Sequence, residues 1–101
     1  MTTTHRTFTR SNSDIPWYHE TSVATASQIN FDNQLSVAYL ATGKIIERTI
    51  SKTPTTLTIA IQWDSVESMN EHYSDPITLA HFAERDAYNT ANDIETTLTQ
   101  L

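Results

Sequence analysis

The sequence contains no cysteine, which excludes disulfides, thiolate nucleophiles and cysteine-ligated metals. It has a single glycine, Gly43, so no glycine-rich loop can cradle a phosphate. Cations are scarce: 6 Lys and Arg stand against 12 Asp and Glu, a net charge of −6. Such a surface repels phosphate backbones, and no nucleic-acid partner is expected. Arg6, Arg10, Arg48 and Arg85 are scattered along the chain without forming a basic run. No apolar run approaches the ~20 residues of a membrane helix. The opening "MTTTHRTFTR" lacks the apolar centre of a signal peptide. These absences point to a cytoplasmic protein with no membrane partner.

What is present is a chain of 101 residues, the size of one domain. A chain of that length buries roughly 60–65% of its unfolded surface, enough for one core with little spare volume for a cavity of its own. Small proteins often build a pocket between subunits instead, so a homo-oligomer, a dimer or larger, is the expected state. Threonine is frequent and often alternates, which favours strands with an uncharged outer face.

Residues 1–20 read as an extended N-terminal arm, although "THRTFTR" alternates around Phe8 and suits a strand. Pro16 pushes Ile15 toward an extended backbone. Trp17 and Tyr18 then either cover an edge of the core or anchor a partner. From residue 21 to 101 the chain reads as one α+β domain. Phe31, Leu35, Ala38 and Tyr39 recur at helical spacing, which predicts a helix over about 30–41, starting as early as Thr21 and closed by Gly43. "KIIERTIS" and "TLTIAIQWD" read as a hairpin turning near Pro54. In the second strand Leu57, Ile59, Ile61 and Trp63 share the core face. Thr58, Ala60 and Gln62 form a neutral opposite face, suited to cover by another sheet.

"DSVESMNEHYS" predicts a short helix capped by Asp64, with Val66, Met69 and Tyr73 inward. Asp75 and Pro76 start a second helix, whose apolar stripe is Ile77, Leu79, Ala80, Ala83, Ala87 and Ala91. "IETTLTQL" alternates as a last strand. Helices on one face of an antiparallel sheet make a ferredoxin-like sandwich.

Residues 44–85, and "IAIQWDSVESMNEHYSDPITLAHF" in particular, resemble the ferredoxin-like dimeric α+β barrel superfamily, which includes the antibiotic-biosynthesis-monooxygenase-like domains. The likeness rests on Trp63 at a strand end, the cap at Asp64 and Ser65, His72 ahead of "SDP", and Phe82. It implies two subunits packed sheet against sheet. It also implies cofactor-free oxygenation or haem degradation around an Asn, a Trp and a His. "TFTRSNSDIPWYHE" and "AERDAYNTANDI" also look like small proteins of phages that infect marine bacteria.

The residue types of that chemistry are present in Trp63, Asn70 and His72, where a histidine takes the substrate proton and a polar group holds the anion. Spacing opposes it, since Asn70 and His72 lie about 200° apart on one helix. Trp63 fits better as a core cap, and His72 as a hydrogen-bonding residue near the following turn or at a subunit boundary. His81, with Tyr88 two turns on, is the candidate ligand-binding pair. Trp17, Tyr18, Thr58, Ala60 and Gln62 are the candidate interface. No pair of histidines has metal-ligand spacing, and no HxH or HExxH occurs, so neither metal nor cofactor is expected. These residues favour a non-enzymatic binding or assembly module, in a host cytoplasm or a virion. The alternative is a cofactor-independent monooxygenase or a binder of small aromatic ligands, which requires a pocket of several hundred Å³ holding His72 or His81.

Overall fold

The computed structural model describes residues 2–21 and 25–100. Four antiparallel strands form one sheet: β1 (Thr2–Thr9), β2 (Ile45–Lys52), β3 (Thr56–Trp63) and β4 (Glu95–Gln100), in the order β2-β3-β1-β4. Helices α1 (Ala26–Gln34), α2 (Val66–Ser74) and α3 (Pro76–Ala91) connect them, and the fold is a ferredoxin-like α+β sandwich. The segment expected as an N-terminal arm is corrected here. Thr2–Thr9 is extended, but as an inner strand bonded to β3 on one side and β4 on the other. Its alternation around Phe8 was the strand signal. Thr4 and Arg6 on its inward side concealed it, because an inner strand is expected to be apolar on the covered face.

The helix of the first half starts at Ala26, capped by the Thr25 hydroxyl, which accepts from the Gln28 amide. Of the earlier start at Thr21, residues 22–24 lie outside the described residues. At Leu35 the α-helix widens into a π turn that runs to Leu40, and Ala41 bonds back to the Ser36 carbonyl at 2.9 Å. Gly43 follows with φ of +79°, the left-handed backbone for which glycine is suited. The α2 cap is Ser65 rather than Asp64, its hydroxyl accepting from the Ser68 amide at 3.1 Å. That shift of one residue leaves Val66 exposed and turns Ser68, Met69 and His72 inward. Asp75 caps α3 with Pro76 at its first turn, as expected.

On β3, Leu57, Ile61 and Trp63 are buried beneath the helices, with Ile59 between them. Register pairs Phe8 with Leu57, Arg6 with Ile59 and Thr4 with Ile61. The core is split in two along this register. One half gathers Trp63, Ile61, Tyr39, Leu35 and Met69, and the other gathers Leu57, Phe8, Trp17 and Ile94. Ile59 touches both halves, at the level where β1 presents Arg6 instead of an apolar side chain. The opposite face of the sheet, with Thr58, Ala60, Gln62 and their neighbours Thr7, His5 and Thr3, is half-exposed, and no helix among the described residues covers it.

Candidate functional site

Between the two halves of the core lies a cavity of about 250 Å³, bounded by the sheet below and by α1, α2 and α3 above. The chain thus holds more spare volume than its length led one to expect. Its cause is visible in α3, which buries Thr78, His81, Arg85 and Asn89. The alanines Ala80, Ala83, Ala87 and Ala91, expected inward, face out, as do Ile77 and Leu79. The two sets have the same helical spacing and are displaced by two residues, so they lie about 200° apart on the helix. Periodicity alone suits either. The structure turns the polar set inward, and its hydrogen-bonding and charged tips leave space that leucines would have filled.

His72 reaches the inner end of this space from α2, fully buried. Its Nδ1 lies 3.3 Å from the Thr78 hydroxyl, which donates to Gln34 Oε1 at 3.2 Å. With the hydroxyl proton so committed, Nδ1–H is the donor toward Thr78 and Nε2 keeps its lone pair. Rings of Tyr39, Trp63 and Phe31 pack around the imidazole at 4.8, 5.3 and 5.6 Å. Burial holds its pKa down at about 4, so it is neutral near pH 7. Its hydrogen bond to Thr78 lies next to the turn into α3. His72 also borders the cavity.

His81 lies flat on Phe31, with centroids 4.1 Å apart and planes 9° off parallel. Tyr18 meets it edge-on at 5.8 Å. Burial, then the Arg85 charge, pushes its pKa down to about 4. Its Nδ1 is buried with no hydrogen-bond partner among the described residues, and such an orphan is costly unless something fills the site.

Three arginines from three elements complete the wall: Arg6 of β1, Arg48 of β2 and Arg85 of α3. Arg6 and Arg85 sit over the same Phe82 ring, at 4.6 and 4.1 Å from its centroid. Arg85 is almost wholly buried and its one ion pair is with surface Asp86 at 3.3 Å. Burial and then the Arg6 charge lower its pKa to about 10. Arg48 is likewise lowered by burial, and its Nε has no partner. Scattered along the sequence, these cations are brought together by the strand register and the turn of α3.

The other candidates separate. Trp63 is fully buried in the core, its Nε1–H donating to Thr4 at 3.1 Å, and Asn70 points to solvent. Trp63, Asn70 and His72 therefore share no pocket. Tyr88 does not border the cavity. It packs on Tyr18 at 5.6 Å and donates to the Pro16 carbonyl, so it fastens the segment that closes one end. Trp17 and Tyr18, candidates for an interface, are buried within the chain. Arg10 covers Trp17 from 3.8 Å, and Tyr18 donates to Glu84 at 3.0 Å. Both border the cavity; their aromatic bulk was spent on the core, the first of the two options open from sequence. Among the described residues no group of three or more His, Asp or Glu is placed to hold a metal, and no helix is long and apolar enough to cross a membrane.

No family model matches the chain, and no curated protein does. Among solved structures it is similar to a protein of Deinococcus radiodurans provisionally named an antibiotic biosynthesis monooxygenase. The TM-score is 0.55 and the identity 14%, over 100% of this chain and 90% of the other. At that identity the likeness is one of fold.

Proposed function

We propose that the protein binds a small aromatic molecule in the cavity between its helices and sheet. One observation carries this reading: a 250 Å³ space walled by aromatic rings and bordered by His81, whose buried Nδ1 has no hydrogen-bond partner among the described residues. Enclosed, mostly apolar sites with a few convergent polar groups are the usual form of ligand pockets. The volume falls just below the ~300–1,000 Å³ of drug-sized sites. It suits one or two fused rings and leaves no room for a tetrapyrrole within one subunit. Titration of the 15N-labelled protein with 1-naphthol tests it. Amide shifts should concentrate around residues 28–31, 48 and 81–85, and a cavity-filling Ile59→Trp should abolish them. Shifts confined to the surface, or none, would refute the reading.

A second reading, cofactor-independent oxygenation of such a molecule, is favoured by the fold shared with the Deinococcus protein and by two neutral histidines at the cavity. It requires oxygen uptake with a naphthalenediol and no added metal or flavin, lost in His81→Gln; an unchanged oxygen trace ends it. Assembly into a phage particle loses one of its supports, because residues 2–9 of the expected arm are an inner strand of the sheet. Self-association through the Thr58, Ala60 and Gln62 face stays in the proposal, supported by its lack of charge and of any covering layer. Light scattering should give a dimer mass that Ala60→Glu reduces to that of a monomer.

A further inference from the structure

We infer that the aromatic molecule is an anion, an aromatic acid whose ionised group lies among Arg6, Arg48 and Arg85. The inference rests on the binding reading above and narrows it to a class of ligand.

The charge balance of the cavity motivates it. Three guanidinium groups line a space of about 250 Å³, and the one carboxylate among its lining residues, Asp32, is exposed at the rim. Arg85 shares a surface pair with Asp86. No hydrogen bond from Arg6 or Arg48 to a carboxylate exists among the described residues, and Arg48 Nε is buried without any acceptor. In a protein of net charge −6 with 6 cations, half of the cations face one cavity. Arg85 is buried and Arg6 and Arg48 are half-buried; charges drawn from water without full pairing are disfavoured, and like charges around one space add mutual repulsion.

Arg6 is the most telling of the three. It occupies the covered side of an inner strand, between Thr4 and Phe8, where an aliphatic residue would join the two halves of the core. Its guanidinium lies instead against Phe82 and, at 5.7 Å, Tyr73. Arginine presents a planar fork that matches a carboxylate or a sulfonate. The flat ring of the ligand has its own surface nearby, where Phe31 and His81 stack. Histidine held neutral there accepts or donates a hydrogen bond without adding a fourth positive charge. One molecule with a planar ring and an ionised group satisfies the guanidinium groups, the orphan Nε and the aromatic walls together.

The test compares two molecules of nearly the same shape, the anion 1-naphthoate and the neutral 1-naphthalenemethanol, by calorimetry at pH 7 in low salt. Naphthoate should bind at least about tenfold more tightly, the scale of one charge-assisted hydrogen bond. The affinity ratio should collapse toward one in Arg6→Gln/Arg48→Gln, and fall as salt is raised. Arg48→Gln alone, at a half-exposed position, keeps the test open if the double variant fails to fold. Equal affinity of the two molecules in the natural protein overturns the anion while the binding reading stands. A ratio unmoved by Arg48→Gln also overturns it. Binding of neither overturns both.

Discussion

Lowering the pH from 7 to 5 should destabilise this protein before its carboxylates begin to protonate. His72 and His81 are buried, and burial holds each at a pKa of about 4 against an ordinary 6.5. Between those values the unfolded chain takes up protons that the folded chain refuses. Stability is therefore greatest above pH 6.5 and declines as pH falls toward 4, below which the histidines contribute no further change. Each should remove about 2 kcal/mol between pH 7 and 5. Together they take about 4 kcal/mol from a domain whose whole stability is about 5–15 kcal/mol. With a urea slope of about 1–2 kcal/mol/M, the unfolding midpoint should drop by about 2–4 M. Hydrogen-bonded Glu84 and Asp64, whose pKa values are lowered chiefly by side-chain hydroxyls, lose their contribution only as pH falls through the carboxylate range near 4. The interval from 7 to 5 thus isolates the histidines. Urea titrations followed by circular dichroism at half-unit steps measure the slope, and His81→Phe should halve it, because phenylalanine keeps the stack on Phe31 and cannot titrate. An unfolding midpoint equal at pH 7 and 5 would show that neither histidine is held neutral by burial, and a slope unchanged in His81→Phe would show that His81 is not.

Three further outcomes follow from single contacts. Thr78→Val should lose about 1–3 kcal/mol in thermal or chemical denaturation, since it strands both His72 Nδ1 and Gln34 Oε1 without their shared hydroxyl. Leu57→Ala, at a fully buried site between Phe8 and Trp17, should lose about 2–5 kcal/mol, with a reduced melting temperature as the readout. Arg10→Ala should change stability by no more than about 1 kcal/mol, yet shift tryptophan emission to the red, because the guanidinium over Trp17 is its cover from solvent.

Much of the fold was legible because local signals agreed. Alternation in β3, the turn at Pro54, the Asp75–Pro76 cap and the single glycine after the first helix each act over a few residues, and each is found where its pattern placed it. The site was less legible. His81 could be singled out because it bordered a helical stripe, but the identity of the inward stripe was misjudged. Hydrophobic preference ranks alanine above histidine and arginine for burial, and that preference holds only where no ligand or polar network is at stake.

By itself, then, the order of residues determined the elements, their polarity of packing on β3 and the neutral outer face of the sheet, because those follow from periodicity and caps within short stretches. Tertiary structure alone decided that residues 2–9 enter the sheet between β3 and β4, that α3 turns Thr78, His81, Arg85 and Asn89 inward, and that Arg6, Arg48 and Arg85 meet around one cavity. These three arginines are separated by 42 and 37 positions in the chain. No local pattern links residues so far apart; strand register and helix rotation do.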